Sequence, residues 1–513
     1  MAPSKDNLTS GNEVNGSSTT DGPKDSDIVV ADPLPERLTG NVPPQHSYRT
    51  LILCFDGTGD QFDADVWLQN SNIVELFAML KKDDREQQMC YYQAGIGTYT
   101  NPEIATPMMA KISKALDEAI AWNLDAHVMD GYEFLMQNYK AGDRICIFGF
   151  SRGAYTARAL AGMIHKVGLL PACNHQQIPF AYRMFISVDA LGWKQSNVFK
   201  KAFSVDVKIE FIGVWDTVNS VGLIPRRLPF TTSNIIVRTF RHAIALDERR
   251  SKFKANHWNH PTTKEASLGI DGQKPKDSRP KAKHHTLKAM ERQFSEQADL
   301  PTDVEEVWFA GCHCDVGGGS VENGTPHTLA RISLRWMIRE CFKAKTGILF
   351  MADGLRNVGL DPASLYPEVV PRPPASPVGQ SHIRHIPSSK DARSLYFPNG
   401  DTSSLSSMTE GEHELLDAMA PIYDQLKLKW WLWWILEIVP QRQRYQLADK
   451  TWEKKFRWNL GEGRHVPKQE KGVVRVHRSV KLRTEARYPD GTKYQPKASF
   501  QRALDMGHLI WVD

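Results

Sequence analysis

Gly149-Phe150-Ser151-Arg152-Gly153 has the form G-x-S-x-G and stands between an apolar run, Arg144 to Phe148, and a helical pattern starting near Arg152. A serine at so sharp a bend takes a strained backbone and raises its hydroxyl out of the sheet. Gly149 and Gly153 supply the missing volume that lets strand and helix approach. The chemistry this suits is nucleophilic attack on a carbonyl. The string alone is weak, since a chain this long holds on the order of 0.1 to 0.2 copies by chance; the strand-turn-helix setting carries the reading. A Gly-rich packing turn is the bland alternative. The helix start also puts the Arg152 N–H where a developing oxyanion needs a donor.

Serine is a weak nucleophile, so a base and an orienting acid must follow, in the chain order Ser, Asp or Glu, His. Phe211 to Val218 places Asp216 just past a buried strand, and Val307 to His313 places His313 past a later one, where ligand-facing loops of open α/β sheets occur. Each has a structural alternative: a strand-end Asp often caps a turn, and a lone His is often satisfied in a core. Asp315, before Gly317-Gly318-Gly319, is the secondary candidate for the acid, or else a cap of that turn. Cys312, His313, Cys314 and Asp315 lack a second cluster at zinc-type spacing, so no metal is expected, and no cofactor. Asp56-Gly57-Thr58-Gly59 reads as an oxyanion loop offering an N–H from Asp56 or Gly57. The same residues resemble the D-x-D-G-T strand end of haloacid-dehalogenase-like phosphotransferases, but Cys54 stands where that nucleophilic Asp would be.

The elements that must position these residues alternate. Leu51 to Phe55 is an apolar strand, Ile73 to Leu80 a helix, and a strand lies near Tyr91. Helical periodicity runs from Ala110 to Tyr139 and ends at Gly142. A helix from Arg152 to Val167 stops at Gly168; strands follow at Lys208 to Val214 and Val307 to Gly311, then a helix from Pro326 to Lys345, opened by Thr325 and closed by Gly347. This predicts an α/β-hydrolase-like, mostly parallel sheet with helices on both faces, plus a mainly helical C-terminal region and a disordered N-terminal tail. The expected organisation is a polar tail over 1–46 and a catalytic domain over 47–360. Within it, 260–303 is a mobile basic insertion. A Pro- and Ser-rich linker over 361–411 and a Trp-rich C-terminal region over 412–513 packed on the hydrolase complete the chain.

A net charge of +5 (64 basic against 59 acidic residues) over 513 residues does not argue for nucleic acid. Seven cysteines, several in apolar runs, read as reduced thiols. No apolar run reaches the length of a membrane span or a secretory signal, so an intracellular, cytoplasmic address is the expectation. Trp430, Trp431, Trp433 and Trp434, flanked by Lys, have two readings: peripheral contact with a membrane interface, or a helix packed on the hydrolase by its rings.

Taken together, Phe55 to Thr58, Tyr92 to Thr98, Gly149 to Arg158, Val214 to Val218, His242 to Arg249 and Gly311 to Gly319 resemble the catalytic domain of bacterial type VI secretion lipase effectors and their uncharacterised fungal relatives. The resemblance implies an α/β-hydrolase with a triad falling on Ser151, Asp216 and His313, and phospholipase activity in the secreted members. His242, Asp247 and Arg249 belong to the same pattern, with structural ion pairing as their expected role. The resulting expectation is a serine hydrolase of carboxylic esters, lipid or phospholipid acyl esters in particular. Its rivals are an esterase on small non-lipid esters and a hydrolase-fold scaffold that no longer turns over.

Overall fold

Leu51, Leu53 and Phe55 point into one hydrophobic core while Ile52 and Cys54 point into another, which is why this strand reads as a continuous apolar run rather than an alternation. It is the first strand, β1 (Thr50–Phe55), of an eight-stranded sheet. The others are β2 (Gln88–Gln93), β3 (Arg144–Phe150), β4 (Ile209–Trp215), β5 (Val237–Ala245), β6 (Asp303–Phe309), β7 (Val474–His477) and β8 (Leu509–Val512). Every pairing is parallel and the spatial order is β2-β1-β3-β4-β5-β6-β7-β8. The order reverses at β1, whose neighbours are β2 and β3. The chain leaves β1 for one side, to β2, while β3 leads to the other, and such a switch opens a crevice beyond the carboxyl ends of β1 and β3, which are Phe55 and Phe150.

The computed structural model describes residues 40–46, 48–57, 69–95, 109–218, 228–258, 302–386, 408–428, 433–434, 437–438, 440–446, 452–466, 473–498 and 507–513. Residues 38–513 form one compact unit. The polar tail before residue 40, nearly all of the basic insertion, residues 387–407 of the Pro- and Ser-rich linker, Thr58, Gly59, Trp430 and Trp431 lie outside the described residues.

Helices cover both faces. On one lie α1 (Asn72–Met79), α6 (His313–Gly317), α7 (Leu329–Lys343) and α8 (Ala352–Asn357); on the other, α2 (Met109–Asn138), α3 (Ser151–Val167), α4 (Ile178–Ile186) and α5 (Ala190–Phe203). α3 is buried along almost its whole length, and Gly168 ends it at φ 71° with its N–H on the Ile164 carbonyl. Each large ring buried in these cores, such as Phe55 or Phe148, stabilises the fold by roughly 1.5–3 kcal/mol.

Three differences from the sequence reading have physical causes. β5 was not anticipated because Arg241 and His242 interrupt its apolar pattern; both are buried, Arg241 against Glu340 (2.6 Å) and His242 against Glu306 (2.8 Å). α7 starts at Leu329 rather than Pro326, because Asp417, on the distant helix α9 (Glu410–Ala418), accepts the Thr328 N–H (3.0 Å) and pairs with His327. The C-terminal region brings helices, α9 and α10 (Arg478–Glu485), but it also adds β7 and β8 to the sheet beside β6. One sheet therefore runs across the expected boundaries at 360 and 412.

Candidate active site

Ser151 stands where β3 becomes α3, with a positive φ of 58°. A Cβ on Gly153 would lie 2.4 Å from the Asp56 carbonyl oxygen, and one on Gly149 would lie 2.6 Å from the Ala154 Cα. Only glycine at both positions lets the helix start this close to β1 and β3, and that closeness fixes where the hydroxyl points.

The Ser151 hydroxyl donates to His313 Nε2 at 2.8 Å, and His313 Nδ1 lies 2.5 Å from Asp216 Oδ2. Asp216 follows β4 directly at φ 41°, its N–H on the Ala243 carbonyl. His313 opens α6 just past β6. All three are buried. The imidazole is clamped between rings, Phe150 at 4.7 Å and Phe253 at 4.8 Å between centroids, the latter edge-on. Burial pushes the His313 pKa down, and the nearby Asp216 only partly opposes it, so the ring is held neutral and able to take a proton.

Asp216 is held by a group that nothing in the sequence singled out. Arg464 grips it bidentately, Nη1 to Oδ1 at 2.5 Å and Nη2 to Oδ2 at 2.8 Å, and the Ala245 N–H donates to Oδ1 at 2.8 Å. Burial alone would raise the Asp216 carboxyl, but Arg464 and His313 overcome it and hold the group well below the usual carboxylate range. Arg464 is itself fixed by the carbonyls of Phe253 and Ala245. Its surroundings, Gly461-Glu462-Gly463-Arg464-His465, carry no pattern from which the role could be read. Glu248 was equally silent: it accepts the His313 N–H (3.2 Å) and pairs with Arg250, whose guanidinium lies over the Phe253 and Trp433 rings.

Asp315 does not meet the imidazole. Its carboxylate accepts the N–H groups of Cys312 (2.9 Å) and Tyr423 (3.0 Å), so it closes a capping box at the start of α6 and ties that helix to the Tyr423 segment, rather than capping the Gly-rich turn. Burial, above all, pushes its pKa up to about 7. Its folded value lies above its unfolded one, near 4. The group therefore stabilises the fold fully only at acid pH and loses that contribution as pH rises from about 4 to about 7. Asp315→Asn keeps an acceptor for both N–H groups and is expected to abolish this slope. Melting temperatures should nearly coincide at about pH 4 and favour the variant at about pH 8; parallel profiles would mean that the buried carboxyl is not what titrates.

In the loop after β1 the described residues make other contacts. The Asp56 N–H bonds the Gln93 carbonyl (2.9 Å) and the Gly57 N–H bonds Asp56 Oδ1 (2.6 Å), so both donors are already engaged. Asp56 instead ties the crevice wall together, accepting from the hydroxyls of Ser71 (2.6 Å) and Tyr92 (2.8 Å). Arg152, second in α3, has its N–H among those that a helix start leaves without an intrahelical partner.

In the remaining segment, His242 pairs with Glu306 and accepts the Thr217 N–H (3.1 Å), while Arg249 pairs with Asp424 (2.8 Å). Asp247 accepts hydrogen bonds from the Tyr494 hydroxyl (2.6 Å) and the N–H groups of Gly311 (2.7 Å) and Lys497 (3.0 Å). These contacts brace the loops that carry Asp216 and His313. Trp433 packs edge-on against Phe253 at 5.6 Å. Among the described residues no cluster of His, Cys, Asp or Glu could hold a metal ion, and no helix is long and apolar enough to cross a membrane.

A family model described as the catalytic domain of the Tle1-like T6SS phospholipase effectors matches residues 49–340. An uncharacterised protein of Saccharomyces cerevisiae is 27% identical over 574 residues, covering 90% of this chain and 83% of its own. Two solved structures also match at 18% identity. An uncharacterised protein from Pseudomonas aeruginosa has a TM-score of 0.32, with 59% of this chain and 46% of that one covered. The Tle1 effector bound to the VgrG spike from the Type 6 secretion system has a TM-score of 0.29, with 60% and 57% covered. The chain thus spans about half the length of these two solved chains. Because the family match takes in more than half of the chain, and Ser151, Asp216 and His313 with it, the protein belongs to the Tle1-like catalytic-domain family of T6SS phospholipase effectors.

Proposed function

We propose that this protein is a serine hydrolase that cleaves carboxylic esters, phospholipid acyl esters in particular, through an acyl-enzyme. The observation that carries the proposal is the unbroken hydrogen-bond chain from Ser151 Oγ to His313 to Asp216, at 2.8 and 2.5 Å, at the carboxyl ends of parallel strands. His313 takes the Ser151 proton as Oγ attacks the ester carbonyl, and returns it to the leaving alcohol as the tetrahedral intermediate collapses. Water then repeats the sequence on the acyl-enzyme and releases the fatty acid. Asp216 keeps Nδ1 protonated, so Nε2 faces the serine as an acceptor, and it stabilises the imidazolium that forms. The Arg152 N–H binds the oxyanion. Membership of a family named for phospholipase effectors supports a lipid ester as substrate.

The test is covalent labelling of the full chain with a fluorophosphonate probe, followed by peptide mapping and by lipid profiling for released fatty acid. Adduct on Ser151 and acyl release from phospholipid are expected. No adduct on Ser151 would leave a hydrolase-fold binding protein, and labelling without lipid turnover would leave an esterase of small substrates.

A further inference from the structure

Residues 247–250 run alongside residues 311–313, the stretch that delivers His313 to the site. The Asp247 N–H bonds the Gly311 carbonyl (3.0 Å), and the Asp247 carboxylate accepts the Gly311 N–H (2.7 Å). Glu248 then takes the His313 N–H on Oε2 (3.2 Å). That N–H is among the donors that a helix start leaves without an intrahelical partner, and α6 is only five residues long, so few bonds of its own hold it. Buried Glu248 therefore fixes the backbone from which the imidazole projects.

The same carboxylate has a second reach. Its Oε1 accepts the N–H groups of Arg249 (3.0 Å) and Arg250 (2.8 Å) and the Arg250 Nε–H (3.0 Å), while Oε2 also accepts from Arg250 Nη2 (2.8 Å). The guanidinium held by this fork lies 3.6 Å from the centroid of the Phe253 ring and 4.7 Å from that of Trp433. Phe253 in turn meets the imidazole edge-on at 4.8 Å. Glu248 thus bears on His313 twice, directly at its backbone and, through Arg250 and Phe253, at its ring. Burial would raise the Glu248 carboxyl, but Arg250 overcomes it and holds the group below its usual range, so the pair is ionised. A buried ion pair adds little net stability, because desolvation offsets most of the attraction. What a fully satisfied pair beside a reacting group does fix is geometry.

We propose that Glu248 is a positioning residue of the reaction, setting through the His313 N–H and the Arg250 guanidinium where the imidazole stands over Ser151. The proposal rests on the serine-hydrolase reading of the site and deepens it with a residue outside the triad. Asp216 and Ser151 engage the two ring nitrogens, which leaves the ring free to shift with its backbone and to pivot about the line between those nitrogens. Glu248 removes the first freedom. Arg250, stacked on Phe253, restrains the second from one side of the ring, as Phe150 does by its own packing. Nε2 must stay on the serine hydroxyl while the proton moves and then offer that proton to the leaving alcohol, and a misplacement of about 1 Å costs on the order of a hundredfold in rate.

The test is made on the full chain with p-nitrophenyl butyrate and with a fluorophosphonate probe, whose rate of attachment to Ser151 reads the base independently of any lipid. Glu248→Gln keeps the volume but turns an amide donor towards one of the N–H groups that the carboxylate binds. Arg250→Lys keeps a cation for Glu248 while losing the flat guanidinium that lies over the two rings. Normalised to the folded fraction, Glu248→Gln is expected to lower kcat about tenfold or more, with KM unchanged and labelling slowed in proportion. Arg250→Lys should lower both rates about threefold, and the double variant should fall no further than Glu248→Gln, because both changes act through one ring. Should Glu248→Gln not fold, Arg250→Lys decides by the same readouts. Wild-type kcat and labelling in the folded variant, whatever its melting temperature, a change confined to KM, or losses that multiply in the double variant overturn the proposal and leave the hydrolase reading standing. Wild type that neither labels at Ser151 nor cleaves the ester overturns that reading and this proposal with it.

Discussion

Ser151→Ala is expected to lower kcat for ester hydrolysis by about four to six orders of magnitude, leaving only what oxyanion binding supplies. The fold should be unaffected, since the substitution removes one hydroxyl and the hydrogen bond to an imidazole already anchored by Asp216, Phe150 and Phe253. The measurement is kcat on a soluble ester and on phospholipid, alongside the unfolding curve of each protein. Turnover at the wild-type rate by a correctly folded variant would remove Ser151 from the mechanism, because no other step can substitute for the acyl-oxygen bond.

Arg464→Met is expected to destabilise the fold by about 3–5 kcal/mol, the usual cost of stripping a buried charge of its partner. The methionine fills part of the volume but leaves Asp216 ionised among buried groups, with only the Ala245 N–H and His313 to satisfy it, and also deprives the Phe253 and Ala245 carbonyls of donors. The dependence on pH separates charge from packing. In the wild type the Asp216 pKa is depressed on folding, so its contribution is present above the unfolded carboxylate value and is lost as pH falls. Without Arg464, burial pushes the same group upward. The deficit of the variant in denaturant unfolding should therefore be largest near neutrality and shrink towards about pH 4. A deficit constant with pH would mean that Arg464 acts through packing alone. Arg464→Lys should recover only part of the loss, because a point charge cannot reproduce the two-pronged grip.

How much was legible follows from how local each signal is. The bend at Ser151 could be read because strand, glycines and helix all lie within residues 144–167. The positions of Asp216 and His313 could be read as strand ends because β4 and β6 are apolar over their last residues. β5 could not, since its Arg241 and His242 find their partners on α7 and β6, far away in sequence. Nor could Arg464 or Glu248, whose meaning depends on groups more than 60 residues distant. The bonds of the Asp56 and Gly57 N–H groups could not be read either, because one acceptor, the Gln93 carbonyl, is distant in sequence and the other, the Asp56 carboxylate, depends on a local rotamer. His242, Asp247 and Arg249 were recognisable only as a pattern, and their partners Glu306, Tyr494 and Asp424 came from three separate stretches of chain.

The addition of β7 and β8 beside β6 has a consequence for any dissection of this chain. A fragment cut at the limit of the family match would end at residue 340 and would lose both neighbours of that sheet margin along with the guanidinium under Asp216. It would bare a row of unpaired amides open to self-association and strand an anion in its interior. Residues 49–340 and those that follow them are thus held in one sheet, and a fragment that keeps the support of Asp216 extends beyond the stretch that the family model matches.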